Sequence, residues 1–199
     1  MIKQKDITNK IWSVYLGSVK DLNDPDQGKS FYTFGSYDKS IVKASGQNIA
    51  WTPVDSSTGW WMFPSTSANI NGKTLELSSN RAMADTGTTL MLVSDKLCNA
   101  LYQAIDGAKF DRNYGGWTIP GDKVDKRPDF KVAVGNAMIT IEKEQLGWAD
   151  LGDSSGMVFG AIQSRGNNDF DIFGDTFLMC CYAVTLSFTY SYCTSANNR

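Results

Sequence analysis

Apolar and polar residues alternate with period two along much of this chain, in short runs broken by Gly, Pro, Asn or Asp. That pattern predicts many short strands. "IWSVYLGSV" (11–19) predicts the first, "DLNDPDQGKS" (21–30) a polar loop, and "FYTFGSY" the returning strand of a hairpin. "IAWTPV" and "WWMFPSTSANING" add strand material, with "NING" (69–72) turning at Gly72 and "KTLEL" returning from it. "FKVAVGNAMITIEKEQL" reads as a hairpin turning near Gly135 and Asn136, "GMVFGAI" as a short buried strand, and "DFDIFGDTFLMCCYAV" alternates again. "TLSFTYSYC" places Leu186, Phe188, Tyr190 and Tyr192 on one face of a strand and Thr185, Ser187, Thr189 and Ser191 on the other, wet side. One segment has a helical period instead. Ser94 suits an N-cap and Asp95 a first turn; Leu97, Leu101 and Ile105 recur at fourfold spacing, and Gly107 is placed to stop the helix. One helix among so many strands, without βαβ alternation, predicts a mainly β chain, and no linker or repeat divides it.

Composition narrows the chemistry. The 199 residues contain no histidine, which removes Ser-His-Asp and Cys-His mechanisms and the usual zinc sites. The four cysteines (Cys98, Cys180, Cys181 and Cys193) match no zinc ribbon and no redox C-x-x-C pair. Cys180 and Cys181 are adjacent, so on a strand they face opposite ways; the cysteines read as buried free thiols, or as one bridge to Cys193 or Cys98. A net charge of -2 without a basic run argues against nucleic acid or an anionic membrane as partner. No apolar run reaches membrane-spanning length, and the polar start "MIKQKDITNK" holds no signal-peptide core.

The stretch "MADTGTTLMLV" (83–93) is the one that asks for chemistry. It sets Asp85 among threonines and a glycine, then encloses them in apolar residues. A carboxylate there is costly unless hydrogen-bonded. Glycine lets another backbone come close, and threonine hydroxyls can grip the acid. The plain alternative is a turn in which Asp85 bonds its own backbone, yet ordinary turns sit at polar surfaces. In "FDIFGDTF" (170–177), Asp169, Asp171 and Asp175 fail as a calcium loop, because Phe173 takes a ligand position and Cys180 stands where the closing Glu belongs. A strand running into Gly174 with a close backbone approach fits better.

Together "ADTGTTL" (84–90) and "FDIFGDTFL" (170–178) resemble the pepsin-like aspartic proteases, in particular secreted fungal acid proteases. "SVYLG", "IAWTPV", "WWMF", "INGK", "PDFKVAVG" and "GAIQSR" lie in the order and spacing of that family's C-terminal lobe. The resemblance implies a mainly β fold: a single C-terminal lobe of the bilobal acid protease fold over residues 1–184, with one or two short helices. A divergent tail (185–199), strand and then disordered end, would follow. It implies aspartic endopeptidase activity on peptide or protein substrates, with water held between two aspartates and no metal or cofactor. Asp85 would be this lobe's acid. Thr86 would grip the opposite loop across the lobe boundary, and Gly87 would bring its amide to the carboxylate. Thr88 and Thr89 would border the cleft, Thr88 bonding substrate backbone; Met83 and Ile41 would line subsites; Ile172, Phe173 and Gly174 would pack beneath the catalytic loop.

The departures from the family matter as much. No N-terminal lobe, flap tyrosine or second Asp-Thr-Gly or Asp-Ser-Gly is present, so a full dyad calls for the missing lobe or a second copy. Retroviral proteases, which the motif also resembles, use two identical chains. The alternative is a catalytically inactive, peptide-binding half-protease or a truncated gene product. Gly121 stands at a family cysteine, which implies that the usual C-lobe disulfide is absent. The family's location, secreted or vacuolar, comes with the resemblance, although this chain starts without a signal peptide.

Overall fold

The structure, a computed structural model, describes residues 7, 9–18, 29–46, 49–186 and 190–195, the last as a backbone path. Along them run β1 (Ile11–Tyr15), β2 (Phe31–Phe34), α1 (Lys39–Ala44), β3 (Ala50–Pro53), β4 (Met62–Pro64), β5 (Ser67–Ile70) and β6 (Lys73–Glu76). Then come β7 (Arg81–Ala84), β8 (Met91–Val93), α2 (Asp95–Gln103), β9 (Lys109–Asp111), β10 (Gly116–Pro120), β11 (Phe130–Val134) and β12 (Ala137–Ile141). The rest are β13 (Gly147–Asp150), β14 (Met157–Gly160), β15 (Ile162–Ser164), β16 (Asp171–Phe173), α3 (Asp175–Leu178), β17 (Cys181–Leu186) and β18 (Tyr190–Ser195). The strands form four sheets, in the orders β2-β1-β17-β18-β3, β13-β14-β10-β9, β12-β11-β5-β6 and β15-β8-β16-β7-β4.

Local chemistry accounts for several of these elements. Asn71 (φ 50°) and Gly72 (φ 80°) both take left-handed backbone, the two-residue turn that matches strand twist, and Ile70 faces Lys73 across it. β11 and β12 close with Val134 opposite Ala137, around Gly135 and Asn136. β1 and β2 pair antiparallel, Trp12 to Phe34 through Tyr15 to Phe31; the hairpin loop expected at 21–30 lies mostly outside the described residues. α2 begins as expected, with Ser94 Oγ accepting the Leu97 amide at 3.4 Å, but it stops at Gln103. Beyond it Ala104 N–H bonds Leu101 O and Ile105 N–H bonds Tyr102 O, so the chain tightens into a three-residue turn before Gly107. α1 and α3 carry no fourfold apolar repeat, which is why periodicity points to α2 alone. The stretch "TLSFTYSYC" is not one strand. β17 and β18 pair antiparallel with Leu186 opposite Tyr190, residues 187–189 lying outside the described ones. Alternation cannot tell one long strand from two that fold back.

The main core gathers α2 (Leu97, Leu101), β8 (Met91, Val93), β11 and β12 (Phe130, Val132, Ile139, Ile141) and the aromatic trio Phe63, Phe173 and Phe177. Phe173 is fully buried, edge-on to Phe63 at 5.9 Å between ring centroids and 4.9 Å from Phe177. A smaller cluster, Tyr15, Tyr182 and Val184, packs under α1 against Ile41 and Val42. Cys98 and Cys180 are free and buried, while Cys181 is disulfide-bonded; Cys98 is thus not its partner.

Candidate active site

The site is made by a strand that intrudes between two others. β7 and β8 are joined by residues 85–90, yet they do not pair: β16 lies between them, parallel to β7 (Ile172 beside Met83, Phe173 beside Ala84) and antiparallel to β8 (Phe173 beside Met91). The Asp-Thr-Gly-Thr-Thr-Leu loop must therefore arch over the end of β16, a span of two strand spacings or about 9.5 Å. Gly174, the first residue after β16, passes directly beneath. A Cβ there would lie 2.0 Å from Thr88 O and 2.5 Å from Leu90 O, so no other residue fits without opening the arch. The arch's carbonyls meet the start of α3: Asp175 N–H donates to Thr88 O at 2.8 Å, and Thr176 donates its N–H (3.0 Å) and hydroxyl (3.1 Å) to Thr89 O. These helix-start amides have no partner within the helix and here find one in the loop.

The same arch aims Asp85. Its N–H continues the parallel pairing by donating to Phe173 O at 3.0 Å, which fixes its backbone at the strand end. Its carboxylate accepts the Gly87 amide on Oδ1 at 2.9 Å and the Thr88 hydroxyl on Oδ2 at 2.6 Å. Asp85 is half-buried between exposed Ala84 and exposed Thr86. Both oxygens are thus oriented by loop donors while one side of the group stays open. A Cβ at Gly87 would sit 3.2 Å from Oδ1, so glycine lets that amide come close.

The other candidate residues fall in different places. Thr86 is exposed and borders a pocket of about 20 Å³ walled by Trp12, Val14, Trp61, Ala84, Leu178, Ala183 and Thr185. Thr88 directs its hydroxyl at Asp85, and half-buried Thr89 offers its carbonyl to Thr176. Ile172 and buried Phe173 occupy β16 under the loop. Met83 is buried in β7, and Ile41 sits on α1 with the Tyr15–Tyr182 cluster. Gly121 has Val158 as its neighbour: a Cβ there would be 3.0 Å from Val158 Cγ1.

Three features received no role from the sequence. Asp175 is a second acid at the site, and its carboxyl is pushed above the ordinary range by burial and by the charge of Asp85. Its place directly after Gly174 was the available signal. Asp171, with no exposure, opens β16: its Oδ1 takes Arg165 Nη1 at 2.6 Å and the Ser94 amide at 3.0 Å, and its Oδ2 takes Asn80 Nδ2 at 2.7 Å. Burial still holds its carboxyl above the usual range against the pull of these partners. Trp12, its ring tilted 42° to that of Trp61 at 5.9 Å between centroids, buries an indole N–H that has no partner among the described residues. Among the described residues no group of three or more Cys, Asp or Glu is gathered as a metal site would need.

Residues 1–190 match the family described as eukaryotic aspartyl protease. Aspergillopepsin-1 of Aspergillus pseudoglaucus is 39% identical over 153 residues, which cover 77% of this chain and 37% of that protein. Penicillopepsin-1 of Talaromyces stipitatus is 37% identical over 181 residues, or 91% of this chain and 44% of that protein. The chain thus spans less than half the length of these curated relatives. The crystal structure of the aspartic proteinase from Irpex lacteus superposes with a TM-score of 0.75 at 22% identity, over 98% of this chain and 59% of that one, which shows the fold. An acid gripped by its own glycine amide and threonine hydroxyl, on a loop arched over an intruding strand, is therefore met where sequence likeness is also strong: the chain belongs to the eukaryotic aspartyl protease family.

Proposed function

We propose that this chain is the C-terminal lobe of an aspartic endopeptidase and that Asp85 is one of the two carboxylates that activate water for peptide hydrolysis. The observation that carries the reading is the double grip on Asp85, by the Gly87 amide and the Thr88 hydroxyl. Donors fixed on both oxygens hold the group ready without solvent reorganisation. Catalysis needs a second acid, because two carboxylates about 3 Å apart share one proton, the ionised member acting as base on water and the protonated one as donor. That acid comes from an N-terminal lobe or a second copy, seated against Thr86. The apolar wall of Trp12, Val14, Trp61 and Leu178 beside Thr86 supports a docking face there. A copy of this chain is the poorer fit, since a two-fold dimer must present the same patch to itself. Peptide segments are the substrates, Thr88 and Thr89 border the cleft, and the protein works outside the cell or in the vacuole, as the family resemblance implies.

A second reading has its own support: the chain holds a single Asp-Thr-Gly and matches less than half of its relatives' length. Alone it would be a peptide-binding half without turnover. One assay separates the two. Cleavage of a peptide at about pH 3–5, alone and with a separately made N-terminal lobe, is followed with and without a pepstatin-type inhibitor. Cleavage that is inhibited and is abolished by Asp85→Asn supports the enzyme; cleavage that survives Asp85→Asn refutes it. Saturable inhibitor binding with no cleavage, even with the added lobe, selects the binding half.

A further inference from the structure

Arg127 is an incompletely matched cation inside the protein, at 5% exposure. Nη1 donates to Lys143 O at 2.9 Å and to Glu144 O at 3.4 Å, and Nη2 donates to Pro120 O at 3.4 Å. These partners are all carbonyls. Nε–H is buried with no partner among the described residues. A guanidinium has five N–H donors, so Nε–H and one hydrogen of Nη2 remain. They sit on adjacent nitrogens and can run parallel, the fork that the two oxygens of a carboxylate match. Burial draws the guanidinium's pKa down while Glu144 draws it up, and arginine stays charged at any working pH.

The side chain lines an open pocket of about 250 Å³, shared with Val124, Glu144, Gly147, Trp148 and Val158. Gly147 keeps room beside the charge: a Cβ there would lie 3.1 and 3.2 Å from the two Nη atoms and 2.9 Å from Val158 Cγ2. A buried cation without a carboxylate is a poor way to stabilise a fold, and an apolar residue would serve better. The pocket joins one unfilled fork to apolar walls, and it falls below the roughly 300–1,000 Å³ of drug-sized sites, which suits one ring or a branched chain.

We propose that this pocket binds a small monocarboxylate with an aromatic or branched apolar body, its oxygens on Nε and Nη2 of Arg127 and its body against Val124, Val158 and Trp148. The pocket shares no lining residue with the Asp85 loop, so the inference stands independently of the protease reading. Glu144 at the rim opposes an anion and weakens binding.

Benzoate is the probe, titrated into the ¹⁵N-labelled full chain at about pH 6.5, where its carboxylate is ionised. Affinity is read from the heat of binding for every variant, and the site from the Arg127 Nε–H resonance, assigned by through-bond correlation to the Arg127 side chain. Benzoate should shift it saturably. Benzyl alcohol, a body without charge, and acetate, a charge without body, should each bind about tenfold more weakly or worse. Glu144→Gln should tighten benzoate, and Arg127→Lys, which keeps the charge but loses the fork, should weaken it about tenfold. If Arg127→Lys does not fold, the two control ligands and Glu144→Gln still decide. The proposal is overturned if benzoate leaves the resonance unmoved or if benzyl alcohol binds equally well. It is also overturned if Glu144→Gln alone displaces the resonance and benzoate then adds nothing, for the rim carboxylate then already fills the fork.

Discussion

Arg165→Met tests how the floor beneath the Asp85 loop is held. In the folded protein Arg165 sits against Asp171 at 2.6 Å, with a second bond to Asn80 Oδ1 at 2.8 Å, and Asp171 has no solvent exposure. Methionine keeps much of the apolar stem and removes the charge. Near neutral pH this strands a buried carboxylate with only Asn80 and the Ser94 amide, and breaking such a pair costs about 3–5 kcal/mol. For a chain of this size each kcal/mol moves Tm by about 2–4 °C, so the variant should melt roughly 6–20 °C lower. The sign with pH follows from the direction of the shift. Asp171's carboxyl is raised by burial, so the folded state holds its proton more tightly than the unfolded chain does. The stability this contributes is fully present below the ordinary value of 3.8 and is lost as pH rises through the raised one. Removing Arg165 raises the carboxyl further. In acid both proteins then carry a neutral Asp171, and the deficit should shrink to the roughly 1 kcal/mol of lost hydrogen bonding. Paired thermal melts at neutral pH and near pH 3 measure this. A deficit equal at the two pH values, or larger in acid, would show that the pair does not hold β16 electrostatically.

Gly174→Ala should cost more than about 4 kcal/mol in urea unfolding, because its Cβ meets the Thr88 carbonyl at 2.0 Å; Gly87→Ala, whose Cβ has 3.2 Å to Asp85 Oδ1, should cost far less. Similar losses for the two would refute the arch. Gly121→Cys with Val158→Cys should form a bridge from the end of β10 to β14. The closed loop of about 37 residues sets a ceiling of about 4 kcal/mol, and crowding of the new Cβ by Gly156 O at 3.1 Å trims it. A gain of about 2 kcal/mol, or about 4–8 °C over either single variant, is expected without reductant; no gain in a protein shown by mass to be bridged would count against that geometry. Burial pushes the Cys98 and Cys180 thiols up to about 12. Ellman's reagent should therefore find neither in the native protein and both after unfolding, and fast native labelling of either would contradict their placement.

The turns and hairpins were legible because their causes are local. Asn71–Gly72 needs two left-handed residues, Ser94 needs a nearby amide, and both requirements show in a few letters. The Asp85 loop was legible as an oddity, an acid between apolar runs. What could not be read is how its carboxylate is oriented, since the Phe173 carbonyl that anchors Asp85 comes from a strand whose pairing no pattern announces. The acids at 169, 171 and 175 look alike in sequence. In the fold Asp169 is exposed beside Arg81, Asp171 is entombed with Arg165, and Asp175 lies within the field of Asp85. Burial separates them, and burial is set by the distant strands β7 and β8. Arg127 was hidden the same way, since nothing in the polar run "GDKVDKRP" (121–128) marks which of its cations is buried.

The strand that slips between β7 and β8 also sets an order of events. An elongating chain adds Asp85 about ninety residues before it adds Phe173, the partner of Ala84. Until then the acid has neither its floor nor the amides that brace its loop. The lobe can collapse early around its hairpins, yet the Asp85 loop takes shape only when nearly all of it has been made, so an unfinished product would carry this aspartate without the grip that orients it.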